Sequence, residues 1–76
     1  LMMGDMDGAA DLFERTLATD AGNPAALGNL GLIRAEQERF DEAIRLLERL
    51  VREQPGDPRA RAVLDDVRAR SGNAAP

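Results

Sequence analysis

Few side chains in this chain could carry out chemistry. The sequence contains no cysteine, histidine, lysine, tyrosine or tryptophan, and all 10 of its basic residues are arginine. Thiolate and imidazole nucleophiles, a Schiff-base lysine and the usual zinc ligands are therefore lacking. Ser71 lies in a polar segment with no base to activate it. Carboxylates remain, but most fall where a solvated helix face would place them, so we expect no catalytic site, cofactor or metal site.

The charge of the chain restricts the partners that it could bind. The formal net charge is -4, with an acidic beginning and a mildly basic end. Without lysine and with few aromatic residues, we expect no binding to nucleic acid. No apolar stretch approaches the ~20 residues needed to cross a membrane, so we expect no membrane partner. The lack of cysteine is compatible with a reducing cytoplasm, and a periplasmic location stays open.

The elements that would position any binding residues are indicated by an internal repeat of 34 residues. A fixed period of this length is typical of stacked helical units, each of which buries its apolar face against its neighbours. The positions that recur at this spacing are Asp7, Ala9, Leu12, Glu14, Arg15, Gly22, Pro24, Ala26, Leu30, Arg34 and Ala35, which return as Asp41, Ala43, Leu46, Glu48, Arg49, Gly56, Pro58, Ala60, Leu64, Arg68 and Ala69.

Apolar spacing predicts an all-α fold of about four helices and no strand. The helices are expected over residues 7–19, 24 to about 37, 41–54 and 58 to about 70. Asp41 and Asp57 are predicted N-caps, because their carboxylates can accept free backbone amides. Pro24 and Pro58 suit a first helical turn, where the missing N–H is not needed.

The middle of the chain resembles the tetratricopeptide repeat, an α-solenoid of antiparallel helix-turn-helix units. The residues that carry this resemblance are Leu27-x2-Leu30-Gly31-x2-Arg34, then Ala43-x3-Leu47, then Pro55, together with the segment Arg39-Phe40-Asp41-Glu42-Ala43. Gly31 and Ala43 are small where paired helices must cross closely. Leu27, Arg34 and Leu47 replace the aromatic residues of the family pattern. At Arg34 the side chain is expected either to snorkel to solvent or to face a groove, and snorkelling is favoured.

The resemblance divides the chain into partial and complete repeats. Residues 1–23 match the second helix of a truncated repeat, with 1–4 as the last turn of a preceding helix. Residues 24–57 form one complete repeat, 58–70 a capping helix, and 71–76 a flexible tail. Arg61 and Asp65 stand where the family has a large apolar residue and glycine, which favours the capping interpretation.

The family resemblance implies a protein-protein interaction module or scaffold that binds a peptide or partner protein on a concave face. The residues that the resemblance places there as binding candidates are Asn29, Leu32, Arg59 and Asp66. The carboxylate clamp of some family members is not favoured, because Val63 occupies a position that needs a base. The alternative function is structural: a self-association segment, or the C-terminal capping segment of a longer array, with no ligand of its own.

Phe13 and Leu17 are the candidates for self-association, because the first predicted helix lacks its partner within the repeat. We therefore expect a homo-oligomer, and two forms of dimer stay open. In one, an ordinary turn at residues 36–39 is kept and the Phe13 faces meet; this form is favoured. In the other, Glu38 replaces the family's turn glycine, two helices merge into one, and the chains exchange their ends.

Overall fold

A computed structural model describes residues 3–74 of the chain and the side chains of residues 5–72. The described residues form four helices, α1 (Met3–Thr19), α2 (Pro24–Glu36), α3 (Phe40–Glu53) and α4 (Pro58–Ala74). Consecutive helices pack against one another as antiparallel pairs. The predicted all-α fold is confirmed, and its extents of 34 × 33 × 18 Å describe a slab about two helices thick.

Side chains just outside two of the helices satisfy their first free backbone amides. Asn23 precedes α2, and its Oδ1 accepts a hydrogen bond of 2.9 Å from the Ala26 amide. Asp57 precedes α4, and its Oδ1 accepts one of 2.9 Å from the Arg59 amide. The prediction for Asp57 is thereby confirmed. The expectation for Asp41 is wrong, because α3 begins one residue earlier, and Arg39 at its N-cap makes no side-chain capping bond.

The turn between α2 and α3 settles how these two helices connect. The Arg39 amide donates to the Arg34 carbonyl at 2.8 Å, and the Glu38 amide to the Ala35 carbonyl at 2.9 Å. This pair of bonds is the Schellman ending, which requires a left-handed residue after the cap. Glu38 is that residue, with φ at 61°. The chain therefore turns here, and the long merged helix of the exchange interpretation is not adopted.

Both ends of the described chain are more helical than the sequence pattern indicates. Helix α1 starts at Met3 and runs without a break, so the predicted boundary between a preceding helix and a helix starting at Asp7 is wrong. Helix α4 continues to Ala74, beyond the predicted end near Arg70, and this includes most of the expected flexible tail. Residues 1, 2, 75 and 76 lie outside the described residues.

The core lies where α2, α3 and α4 meet. Ala35, Ala43 and Leu47 are fully buried there together with Leu64 and Val67 from α4. The predicted close crossing of α2 and α3 is confirmed, because a Cβ atom added at Gly31 would lie 2.8 Å from Cδ2 and Cγ of Leu47. The core thus fixes α2 and α4 relative to each other through α3.

Candidate partner-binding surfaces

Helices α2 and α4 each carry an exposed face, and we call these two faces together the inner surface. On α2 it presents Asn29 and Leu32, one helical turn apart, and Leu32 is 44% exposed. On α4 it presents Arg59 and Asp66, two turns apart and both exposed. These four residues are the binding candidates predicted from the sequence.

The two helices of the inner surface are linked near their C-terminal ends by Arg70. An Arg70 Nη2 to Glu36 Oε1 ion pair of 3.8 Å joins the C-terminal parts of α4 and α2. The Arg70 guanidinium also lies 6.0 Å from the centre of the Phe40 ring. At the other end the Arg59 side chain is 91% exposed, with its Nε 3.7 Å from Asp57 Oδ1.

Arg34 does not snorkel to solvent, the position favoured for it, and instead lines the groove described below as the outer groove. Its side chain is only 10% exposed and lies between three helical elements. Nη2 is 3.3 Å from Glu14 of α1, Nε is 3.2 Å from Glu42 of α3, and Nη1 donates to Gln37 Oε1 at 2.9 Å. Arg34 therefore links α1, α2 and α3, and the snorkelling expectation is wrong because partners from both neighbouring helices cover the guanidinium.

The ion pair between Glu14 and Arg34 recurs one repeat later. Arg68 Nη2 of α4 lies 2.7 Å from Glu48 Oε2 of α3, and both pairs span 20 residues of sequence. The Arg68 side chain is 47% exposed, against 10% for Arg34. The described structure places no counterpart of Glu42 beside Arg68. The repeat thus reproduces the pair but not its burial.

A second surface feature, which we call the outer groove, lies between α1 and α3 on the opposite side of α2. Two adjoining cavities of about 340 and 280 Å³ form it. The apolar lining consists of Leu17, Ala21, Leu27, Leu30 and Leu46, and the charged lining of Glu14, Arg34, Glu42, Arg45 and Arg49. Sequence reasoning missed this groove, although one signal was present: Asp11 in the first repeat becomes Arg45 in the second.

The self-association candidates on α1 are less exposed than the sequence pattern suggests. Phe13 and Leu17 are half-buried, and Leu17 lines the outer groove. Among the α1 side chains that the structure describes, from Asp5 onward, the exposed large apolar one is Leu12, at 60%. Sequence reasoning did not select it. Its 34-residue counterpart Leu46 is half-buried, so the recurrence of leucine at this position does not fix how exposed the side chain is.

Comparison with known proteins gives one finding. A family model described as Tetratricopeptide repeat matches residues 1–67. No curated protein and no solved structure matches the chain. Within the described residues, no helix combines the length and apolar character needed to cross a membrane.

Proposed function

We propose that this chain, which belongs to the tetratricopeptide repeat family, binds a peptide or partner protein on its inner surface. The family is typically a non-catalytic protein-interaction module. The observation that carries the proposal is Leu32, a large apolar side chain 44% exposed between polar neighbours on that surface. An apolar contact bordered by polar groups is the usual anatomy of a binding patch.

The inner surface also defines the chemistry of a suitable partner. Leu32 would contact an apolar side chain, and the Asn29 amide can donate to and accept from a peptide backbone. On α4, Arg59 and Asp66 carry opposite charges two turns apart. We propose a partner with an acidic group opposite Arg59 and a basic group opposite Asp66. Such complementarity would orient the partner and exclude others.

The two exposed leucines of the structure allow a matched test. Peptides would be selected from a displayed library against the immobilised full chain, and their affinities measured by fluorescence anisotropy. Leu32→Glu should weaken the selected peptides by at least about tenfold, as expected for a contact at the centre of a patch. Leu12→Glu, an equal change on α1, should leave their affinities unaltered. The proposal fails if the selected peptides bind the Leu32→Glu chain as tightly as the unchanged one.

Charge reversal then tests the orientation. Arg59→Glu combined with Asp66→Arg exchanges the two charges and preserves the net charge of -4. Peptides selected against the unchanged chain should lose affinity, and renewed selection should return peptides with the opposite charge order. Unchanged charge order after renewed selection would refute the orientation while leaving the Leu32 contact standing.

A second candidate function, self-association through α1, is favoured by a difference between equivalent positions. Ala43 and Leu47 of α3 are 0% exposed, whereas their 34-residue counterparts Ala9 and Phe13 of α1 are only half-buried. In α3 this face is covered by α2. We propose that in a dimer the corresponding face of α1, with Leu12 and Phe13, packs against a second copy of the chain.

Analytical ultracentrifugation tests the dimer over micromolar to millimolar concentrations. We expect concentration-dependent association that Leu12→Glu abolishes and Leu32→Glu leaves intact, the reverse of the pattern expected for peptide binding. A monomer throughout this concentration range would refute self-association. A dimer sensitive to Leu32→Glu would instead place the contact on the inner surface.

A further inference from the structure

The outer groove differs in charge between its two ends. At the end lined by Glu14 and Glu42, both carboxylates lie within 3.3 Å of the Arg34 guanidinium, so the buried cation is already compensated. At the end lined by Leu17 and Ala21, the charged side chains are Arg45 and Arg49. The groove is therefore compensated at one end and cationic at the other.

The two arginines at the cationic end are available to a partner. Both are exposed. Within residues 5–72, Arg45 has no carboxylate within ion-pair distance, and Arg49 has only Glu53 at 3.8 Å. An exposed ion pair at that distance contributes little to stability, so Arg49 can readily exchange Glu53 for a carboxylate of a partner. The chain has a net charge of -4, whereas these two arginines give this part of its surface positive charge.

Of the two arginines at the cationic end, Arg45 is particular to α3, whereas Arg49 recurs from Arg15 of α1. Arg45 corresponds to Asp11 of α1, whose carboxylate instead pairs with Arg15 at 3.3 Å. Packing of the helices therefore does not require arginine at this position. The residues that packing does require, such as Leu30 and Leu64, are leucine in both repeats and almost fully buried.

We propose that the outer groove is a second docking surface, whose partner is an acidic amphipathic helix. The adjoining cavities share Leu46, and their floor residues Leu27 and Leu30 lie one helical turn apart on α2. This spacing suits two leucine-sized side chains at positions i and i+4 of a docked helix. Carboxylates on the flank of that helix would pair with Arg45 and Arg49.

The test uses the full chain and two synthetic helical peptides of about 14 residues, or roughly four turns. Both peptides carry leucine at positions i and i+4; one has glutamate along a single flank, the other lysine. We expect the glutamate peptide to bind at least about tenfold more tightly, and its affinity to fall with added salt. Amide shifts in NMR titration should concentrate at Leu17, Ala21, Leu27 and Leu46.

Matched variants locate the site. Arg45→Glu and Arg49→Glu, which reverse charges at the groove, should together weaken the glutamate peptide by at least about tenfold. Arg61→Glu reverses an exposed charge on α4 outside the groove, and should change the affinity by less than about twofold. Circular dichroism of each variant shows whether the fold is retained.

The proposal is overturned by no binding at millimolar peptide, by equal binding of the lysine peptide, or by an affinity that reversal at Arg45 and Arg49 leaves unaffected. Amide shifts confined to Asn29 and Leu32 would also refute it, because they assign the peptide to the inner surface. That last result leaves the proposed function standing. Conversely, a failure of Leu32→Glu to affect peptides selected for the inner surface has no bearing on the outer groove.

Discussion

Substitution of glycine by alanine should have opposite effects at two positions of this chain. Gly8 lies inside α1, and a Cβ atom added there would have no heavy atom within 4 Å other than those of its two chain neighbours and the backbone of its own helix. Gly31 lies inside α2, where the same atom would meet Cδ2 and Cγ of Leu47 at 2.8 Å. Both variants replace glycine by alanine inside a helix, so the effect of helix propensity on the free energy of unfolding is the same in both. The two variants differ only in what the added methyl group contacts.

The shared effect favours alanine. Glycine in a helix interior costs about 0.5–1 kcal/mol relative to alanine, largely through the entropy of the unfolded chain. Gly8→Ala should therefore raise the free energy of unfolding by about 0.5–1 kcal/mol. For a domain of this size that raises the melting temperature by roughly 2–8 °C.

At Gly31 a packing cost opposes this gain. Leu47 is 0% exposed and belongs to the core cluster, so a displacement of its side chain disturbs the packing of other core residues. Forcing an extra methyl group into a filled core costs about 1–3 kcal/mol. We therefore expect Gly31→Ala to lower the free energy of unfolding by up to about 2 kcal/mol. Gly28 is an intermediate case, since its added Cβ would lie 3.5 Å from Leu50 Cδ2, an ordinary contact.

Urea unfolding followed by far-ultraviolet circular dichroism measures all three variants under the same conditions. The expected order of stability places Gly8→Ala and Gly28→Ala above the unchanged chain, and Gly31→Ala below it. If Gly31→Ala stabilises the chain as much as Gly8→Ala, then α2 and α3 do not cross closely at this glycine and the packing argument is refuted.

Three further predictions concern the turn, the ion pairs and the core. Glu38→Gly should raise the free energy of unfolding by about 0.5–1 kcal/mol in urea unfolding, because Glu38 has φ at 61° and glycine adopts this conformation without a Cβ clash. Arg34→Ala should lower it by about 1–3 kcal/mol, against about 0.2–1 for Arg68→Ala, because only Arg34 is buried between two carboxylates; equal losses in chemical denaturation would contradict this. Leu47→Ala should cost about 2–5 kcal/mol and leave the chain largely unfolded by calorimetry, because Leu47 is 0% exposed; a small loss would contradict the helix pairing.

The sequence was sufficient to predict the helices and their pairing because the same core residues occur in two repeats. Ala26 and Leu30 recur as Ala60 and Leu64, and all four are at most 4% exposed. A buried residue recurs in both repeats where close packing accepts side chains of only one size and polarity. The predicted helix boundaries were wrong at the chain ends and at Asp41. At Asp7 and Asp41 a possible capping residue indicated a helix start, but the helix begins earlier in the chain; at the other end, α4 continues past its predicted end.

The position of Arg34 could not be predicted from its own repeat. Its burial depends on Glu14, which lies 20 residues earlier in another helix, and on Glu42 across the turn. Periodicity describes the apolar face of one helix, whereas an ion pair depends on which charged ends two packed helices bring together. The exposure of Leu12 escaped prediction for the same reason, because it depends on what lies beside α1.

Two residues that we propose to bind partners, Leu32 and Arg45, occupy positions that change between the repeats. Leu32 becomes Asp66 on the inner surface, and Asp11 becomes Arg45 on the outer side, whereas the core residues Ala26 and Leu30 recur as Ala60 and Leu64. All four changed residues are exposed. Exchanging Leu32 and Asp66 should therefore alter the free energy of unfolding by about 0.5 kcal/mol or less, as is usual for surface changes. The same exchange moves the apolar contact from α2 to α4, so peptides selected against the unchanged chain should lose affinity. A large loss of stability with unaltered peptide binding would show that these positions serve packing instead.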